Sequence, residues 1–226
     1  REELGRVYGL LADDHSRKVL RDVVEYKLTG DIKLLRGCES EPREAWESIL
    51  RPGKEEHYMD LGAYTGDTIA EFIGYAGEWR RITALEPDPV TFAKLERNTA
   101  GLHDCILYRL GAYSRYARLP FAGGAGRGSH LAAGGAMTEL DSVDNILCGQ
   151  TVSLINMDVE GMEAEAIAGM AKTLRRHRPK LLIAGYHRSE DLWRLPLEVL
   201  AIQPEYKVYV RHYPCLPAWD VNFYFV

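Results

Sequence analysis

Cysteine is scarce in this chain of 226 residues, and what there is lies scattered: Cys38, Cys105, Cys148 and Cys215 form no CxxC pair and no metal-ligand spacing. This excludes a disulfide framework and a zinc site as organising devices, and it fits free thiols in a reducing, cytoplasmic setting. Long apolar runs are missing too. No stretch approaches bilayer length, and the opening REELGRVYGL has no apolar centre of the kind a secretory signal needs, so no membrane association is expected. The chain starts at Arg1 rather than Met, which leads us to expect further sequence upstream. Positive charge is also in short supply. Lys and Arg number 28 against 33 Asp and Glu, a formal net charge of −5, so no broad basic field exists to attract nucleic acid. No internal repeat is present.

What the chain does contain is enough apolar residue, 46% of the total, for one full-sized core. From residue 55 onward short apolar runs alternate with helical patterns: HYMDL, RITAL, CILYRL, VSLINMD and KLLIAGYH. Such alternation predicts a mostly parallel sheet covered by helices on both faces, an α/β Rossmann-like arrangement. The aromatic, β-branched runs YKVYVRHY and VNFYFV have no helix between them, only a connection carrying Pro214 and Pro217, and read as an antiparallel pair at one sheet edge. Asp88 followed by Pro89 reads as a helix cap and first turn, and Ile167, Met170, Ala171 and Leu174 form an apolar stripe that stops before Pro179.

Residues 1–54 read differently, as a helical extension or lid preceding a catalytic domain at 55–226. Ser16 is expected to cap a helix whose apolar face comprises Val19, Leu20, Val23, Val24 and Leu28 and which ends at Gly30, and Ala45, Trp46, Ile49 and Leu50 mark another helix. The glycine-rich stretch from Ala122 to Gly135 is expected to be a loop, either mobile or closing over substrate.

The segment YMDLGAYTGDT joins the first core strand to a helix, the place where open parallel sheets bind cofactors. Gly62 allows a sharp turn and close approach of a ligand, and Gly66 leaves room for packing at the helix start. A dinucleotide fingerprint beginning at Gly62 needs glycine at 64 and 67, where Tyr64 and Asp67 stand. Asp60 and Asp67 moreover place negative charge where a phosphate would lie at the helix tip. A cation suits the turn better, and S-adenosyl-L-methionine presents an ammonium and a sulfonium there. Glu86 ends the second strand in ALEPDP, where a carboxylate can accept both ribose hydroxyls. Gly111 and Ala112, read as the end of the third strand, offer a small-residue floor for adenine. Asp158, Glu160 and Glu163 follow the fourth strand; the first two are candidates for the cofactor's amino group, for proton removal or for a divalent ion, although the chain has no dedicated metal-ligand spacing, and Glu163 reads as a helix-start acid. His187, after Tyr186 at the end of the fifth strand, reads either as a general base or as a structural histidine.

These segments resemble the FkbM-type S-adenosylmethionine-dependent methyltransferases. The resemblance runs through LADDHSRKVL, YMDLGAYTGDTIAEF, ALEPDPVTFAKL, TELDSVD, INMDVEGMEAEAIAG, PKLLIAGYHRSEDLW and YKVYVRHY. It implies a class I methyltransferase fold, seven strands with the last antiparallel, and O-methylation of a sugar or secondary metabolite. It also implies that Asp60, Gly62, Ala63, Gly66, Asp67 and Thr68 line the methionine side, Glu86 the ribose, and Asp141 with Ser142 the adenine side. Asp158 and Glu160 would stand beside the transferred methyl. Tyr64 departs from the small or amide residue common in the family's glycine turn. The readings set against this are a nicotinamide-dependent oxidoreductase and a catalytically degenerate binding module.

Overall fold

A computed structural model describes residues 1–122, 130–131, 136–214 and 220–226. In chain order the elements begin with α1 (Glu2–Leu10), α2 (Asp14–Thr29), α3 (Ile32–Gly37) and α4 (Pro42–Glu44), which runs into a π-helical turn (Ala45–Leu50). Then come β1 (His57–Leu61), α5 (Asp67–Ala76), β2 (Arg81–Leu85), α6 (Pro89–Thr99), β3 (Cys105–Tyr108), β4 (Gly111–Ala112), β5 (Ala117–Ala122), β6 (His130–Leu131) and β7 (Ala136–Asp141). The remainder comprises α7 (Val143–Leu147), β8 (Leu154–Met157), α8 (Glu163–Gly169), α9 (Ala171–His177), β9 (Lys180–Ala184), α10 (Asp191–Ile202), β10 (Val208–His212) and β11 (Val221–Phe225). The main sheet has seven strands in the order β10-β11-β9-β8-β1-β2-β3.

Two compact units divide the chain, one of residues 52–179 and one combining 1–51 with 180–226. In the 52–179 unit β1 lies between β2 and β8, parallel to both, with Asp60 level with Ala84 and Asn156. All five residues of β1 are buried. Parallel strands covered on both faces need such unbroken burial, which is why this run does not alternate with polar residues. Asp88 caps α6 by accepting from the Val90 and Thr91 N–H groups at 3.0 and 2.8 Å, with Pro89 in the first turn. Such a cap contributes about 1 kcal/mol.

Several expectations are corrected here. LGAYS does not end the third strand: Gly111 and Ala112 belong to a second sheet of four strands, β4-β7-β5-β6. TELD lies on its long strand β7, which pairs antiparallel with β5 from Ala117↔Leu140 to Phe121↔Ala136. The stripe from Ile167 to Leu174 is two helices, broken where Met170 leaves helical geometry. The break follows Gly169, whose Cβ position is occupied by the Tyr113 carbonyl, so the chain there packs backbone against backbone. Most of the stretch Ala122 to Gly135 lies outside the described residues, as do Cys215 and Pro217. Cys38, Cys105 and Cys148 are free thiols. Among the described residues no helix is long and apolar enough to cross a membrane.

In the unit combining 1–51 and 180–226, β11 pairs antiparallel with both β9 and β10, the edge arrangement expected from the two aromatic runs. Helix α2 packs on β10 and α1 on α10. Val19, Leu20 and Val23 are buried and Gly30 closes α2 in the left-handed conformation, but Leu28 is 81% exposed, so the apolar face stops a turn early. The cap of α2 is Asp13, not Ser16: Asp13 accepts from the Ser16 N–H at 2.7 Å. Ser16 is buried, and its hydroxyl accepts from the Val210 N–H and from Arg211 Nη1. Arg211, 2% exposed, spans Glu44 and Asp13, with Nε–Oε2 at 2.7 Å and Nη2–Oδ2 at 2.8 Å. One guanidinium thus ties the start of α2 and the helical turn at Pro42–Glu44 to β10. Residues 1–51 are built into this unit through these contacts.

Candidate active site

In the 52–179 unit, β1 ends at Leu61 and the chain turns through Gly62, whose φ of +87° lies in the left-handed region. A side chain at Gly62 would collide with the Asp158 carbonyl, so the crossing of this turn with the residue after β8 requires glycine. The Gly62 and Ala63 N–H groups both donate to the Leu85 carbonyl, at 3.0 and 2.9 Å. Gly66 caps α5 with φ +90°, and a Cβ there would press on Leu95 of α6 at 3.2 Å. Tyr64 adopts a left-handed φ of +47°, an uncommon conformation for an aromatic residue.

Its N–H explains the strain. Tyr64 N–H donates to Glu86 Oε2 at 3.1 Å, and the Asp88 N–H donates to Glu86 Oε1 at 2.8 Å. Each Glu86 oxygen therefore holds one backbone donor, and a carboxylate has about four acceptor sites, leaving one on each oxygen for a ligand. Glu86 is 7% exposed, and burial, opposed by these two hydrogen bonds and reinforced by Asp88 and Asp60, pushes its pKa up to about 7.

Asp60 is fully buried, and its placement differs from that of Glu86. Thr68 Oγ1 donates to its Oδ2 at 2.5 Å, Asn156 Nδ2 to its Oδ1 at 2.9 Å, and the Tyr58 hydroxyl to Oδ2 at 3.3 Å. Tyr58 is itself held by stacking on Phe72 of α5, ring centroids 4.2 Å apart. Burial raises the Asp60 pKa to about 6 against the pull of these donors, with Asp67 adding repulsion. Asp60 thereby fastens the start of α5, through Thr68, to the centre of the sheet.

Asp158 follows β8, its N–H donating to the Leu61 carbonyl at 3.0 Å. Glu160 has φ +53° and Gly161 φ +92°, a tight reversal. Glu163, read from sequence as an acid favoured by the helix start, is 1% exposed and holds this reversal: its Oε1 accepts from the Val159 N–H at 3.1 Å and the Gly161 N–H at 3.3 Å. A buried acid three residues after another is indistinguishable from a surface one in sequence, which is why its part was missed. Gly111 is explained by packing, because a side chain there would strike Leu140. Asp141 accepts from the Ser142 N–H at 2.7 Å and from Asn145 Nδ2 at 2.9 Å, and Ser142 caps α7.

The carboxyl ends of β1, β2 and β8 thus carry Asp60, Glu86 and Asp158 on neighbouring strands. Tyr186 and His187 follow β9 in the other unit, their rings tilted against each other with centroids 4.3 Å apart.

A central parallel sheet of this order, with a glycine turn after β1 and a carboxylate ending β2, defines a Rossmann-like fold of the class I methyltransferase kind. The chain belongs to the FkbM methyltransferase family: residues 60–209 match the methyltransferase FkbM domain. The crystal structure of methyltransferase FkbM from Methylobacillus flagellatus KT is 28% identical, with a TM-score of 0.87 over 100% of this chain. This chain spans 58% of that protein's length. Fibrillarin from Aeropyrum pernix, solved with natively bound S-adenosyl-L-methionine, shares the fold at 14% identity and a TM-score of 0.53, over 81% of this chain and 71% of its own. An rRNA methylase from Streptococcus thermophilus does so at 12% identity and 0.54, over 82% and 96%. No protein of curated function matches the chain.

Proposed function

We propose that this chain transfers a methyl group from S-adenosyl-L-methionine to a hydroxyl oxygen of a sugar or natural-product acceptor. When bound, the cofactor supplies a methyl already activated on a sulfonium, so the protein's work is alignment, exclusion of water and one proton removal. Glu86 carries this reading. Its two free acceptor sites suit a pair of ribose hydroxyls, and its position at the end of β2 is pinned by two backbone N–H groups. Gly62, Ala63, Gly66, Asp67 and Thr68 form the methionine side. Asp60 belongs to that side by shaping it, since its oxygens are engaged by Thr68, Asn156 and Tyr58. Asp141 and Ser142, with Gly111 and Ala112, form the adenine side. Asp158 and Glu160 are assigned to the reacting end, and His187 to removal of the acceptor's proton.

Family membership speaks for methyl transfer rather than for nicotinamide chemistry. Oxygen as the target rests on the resemblance in sequence, a small-molecule acceptor on that resemblance and on the acidic charge balance, and a cytoplasmic setting on the scattered cysteines. Residues 1–54 as a helical extension or lid and 55–226 as the methyltransferase domain belong to the same proposal. The deciding experiment is calorimetric titration of S-adenosyl-L-methionine into the wild type and Glu86→Ala: tight binding by the first and at least tenfold weaker binding by the second are expected. Equal affinities would remove Glu86 from the ribose. With an acceptor in hand, His187→Ala is expected to lower kcat by about 100-fold with little change in cofactor affinity, in line with loss of a general base. A catalytically degenerate module would bind the cofactor and turn over no acceptor.

A further inference from the structure

The amino ends of β1 and β2, opposite the proposed cofactor end, carry a second feature of the 52–179 unit. A cavity of about 320 Å³ is lined by His57, Arg80, Arg81, Gln150 and Thr151. This size is at the small end of ligand sites in general. Its chemistry is one-sided: two guanidinium groups, an imidazole, an amide and a hydroxyl, with no carboxylate among the lining residues. Among the described residues neither arginine forms an ion pair, although the chain is acidic overall. Arg81 Nη1 instead donates to the Gln150 side-chain oxygen, which bridges β2 to the segment before β8.

The walls are fixed by the sheet. The Arg80 and Arg81 N–H groups donate to the Glu56 carbonyl, at 2.9 and 3.3 Å, and the His57 N–H donates to Ser153 Oγ at 2.9 Å. Glu56, the nearest acid in sequence, accepts from the Gly53 N–H at 3.0 Å and from the Ser153 hydroxyl. The His57 ring is buried with Nε2 3.2 Å from Thr83 Oγ1. Burial first, and then the charges of Arg81 and Arg80, hold its pKa below the usual value, while the Thr151 backbone pulls it the other way. Two guanidinium groups, charged at any working pH, therefore line the cavity together with the buried His57 ring.

We propose that this cavity is a binding site for a small phosphorylated molecule, its phosphate held by the Arg80 and Arg81 guanidiniums with Gln150 and Thr151 at the rim. Arginine forks match phosphate oxygens in geometry as well as charge. A small ligand is favoured over nucleic acid because a net charge of −5 repels a polyanion along its length while leaving one local cationic cavity able to take a single dianion. The site stands apart from the cofactor proposal, since its residues begin β1 and β2 whereas Asp60 and Glu86 lie at their far ends.

The test is inorganic phosphate titrated into the whole chain at constant ionic strength held with potassium chloride, read by calorimetry and by thermal melting. Saturable binding with a rise in Tm is expected, and Arg80→Gln with Arg81→Gln should weaken it at least about tenfold while affinity for S-adenosyl-L-methionine stays within twofold. Gln150→Glu, at an exposed position, should weaken phosphate binding in the same direction, and it provides a second reading should the double variant fold poorly. No saturation by phosphate, or equal response in wild type and both variants, overturns the proposal. So does binding of a single-stranded oligonucleotide that is much tighter than phosphate and equally lost in the double variant, since that outcome identifies a polyanion surface.

Discussion

Both units of this protein bury charge, and they do so in opposite ways. In the unit of residues 1–51 and 180–226, the buried Arg211 meets two carboxylates head-on, and the arginine, although burial opposes its charge, is held strongly protonated by Glu44 and Asp13. Asp13, for its part, is pulled down to about 2, because the hydrogen bonds from Arg211 and Ser16 together outweigh its burial. In the 52–179 unit, Asp60 and Glu86 are buried among neutral donors, the charges bearing on them most are other carboxylates, and both pKa values rise. Compensated charge belongs to architecture. Buried acid with no opposite charge beside it costs stability, and under the proposed function a bound cofactor would offset part of that cost at Glu86 through its ribose hydroxyls.

The comparison can be broken most forcefully at Arg211. Arg211→Met leaves Asp13 and Glu44 facing apolar surface and is expected to cost about 3 kcal/mol in chemical denaturation, toward the low end for buried pairs because each carboxylate keeps a third of its surface in water. Adding Asp13→Asn and Glu44→Gln should restore most of that loss. If the triple variant is no better than the single one, the cluster is not electrostatic in the sense argued here.

At Glu86 the expected pattern is reversed. Glu86→Ala should weaken S-adenosyl-L-methionine by about 2 kcal/mol, the value of two lost hydrogen bonds, while denaturation at pH 8 changes by less than Arg211→Met does. A stability loss exceeding that of Arg211→Met would make Glu86 a structural residue first.

Acidity sharpens the same contrast. A carboxyl raised on folding binds its proton more tightly in the native state, so the stability associated with Asp60 and Glu86 is present in full below their ordinary values near 4 and is lost as pH rises to about 7. Subtracting the Glu86→Gln profile from that of the wild type should expose a decline on the order of 3 kcal/mol across this window. Asp13 has the opposite sign. Its contribution is present above about 4 and disappears as pH falls toward 2. The smallest expected effect is on protons. Binding of the cationic cofactor favours ionised carboxylates, so titrations near pH 6.5 should release a fraction of a proton, seen as buffer-dependent enthalpy, and titrations at pH 9 should release none. Proton uptake at pH 6.5 would contradict the assignment of the cofactor's cationic end to this turn.

Much of this arrangement was legible in the chain. The runs HYMDL, RITAL and VSLINMD contain strands because they are short, largely apolar and free of a helical period, as strands covered on both faces are, and Asp88-Pro89 starts a helix because cap chemistry is local. Gly62 and Glu86 were singled out from position alone. The failures share a cause. Asp13 outcompeted Ser16 as a cap because Ser16 is engaged by Val210 and Arg211, almost two hundred residues away. Leu28 sits on an apolar stripe yet is 81% exposed, because the stripe runs past the part of α2 that is buried at Val19, Leu20 and Val23. Gly111 and Ala112 continued an apolar run on paper, but β7 pairs with them and draws them into a separate sheet.

By itself, then, the order of residues determined the strands of the main sheet, the glycine turn and the carboxylates that end β1, β2 and β8, because periodicity and backbone freedom act over a few neighbours. Only the tertiary structure decided how the charged side chains are engaged. Asp60 is closed by Thr68 and Asn156, Glu86 keeps acceptor sites open, Glu163 is buried to hold a turn, and Arg211 is matched to Asp13 and Glu44. Burial and the partner across a strand set the energy of a charge, and neither is written in its sequence neighbours.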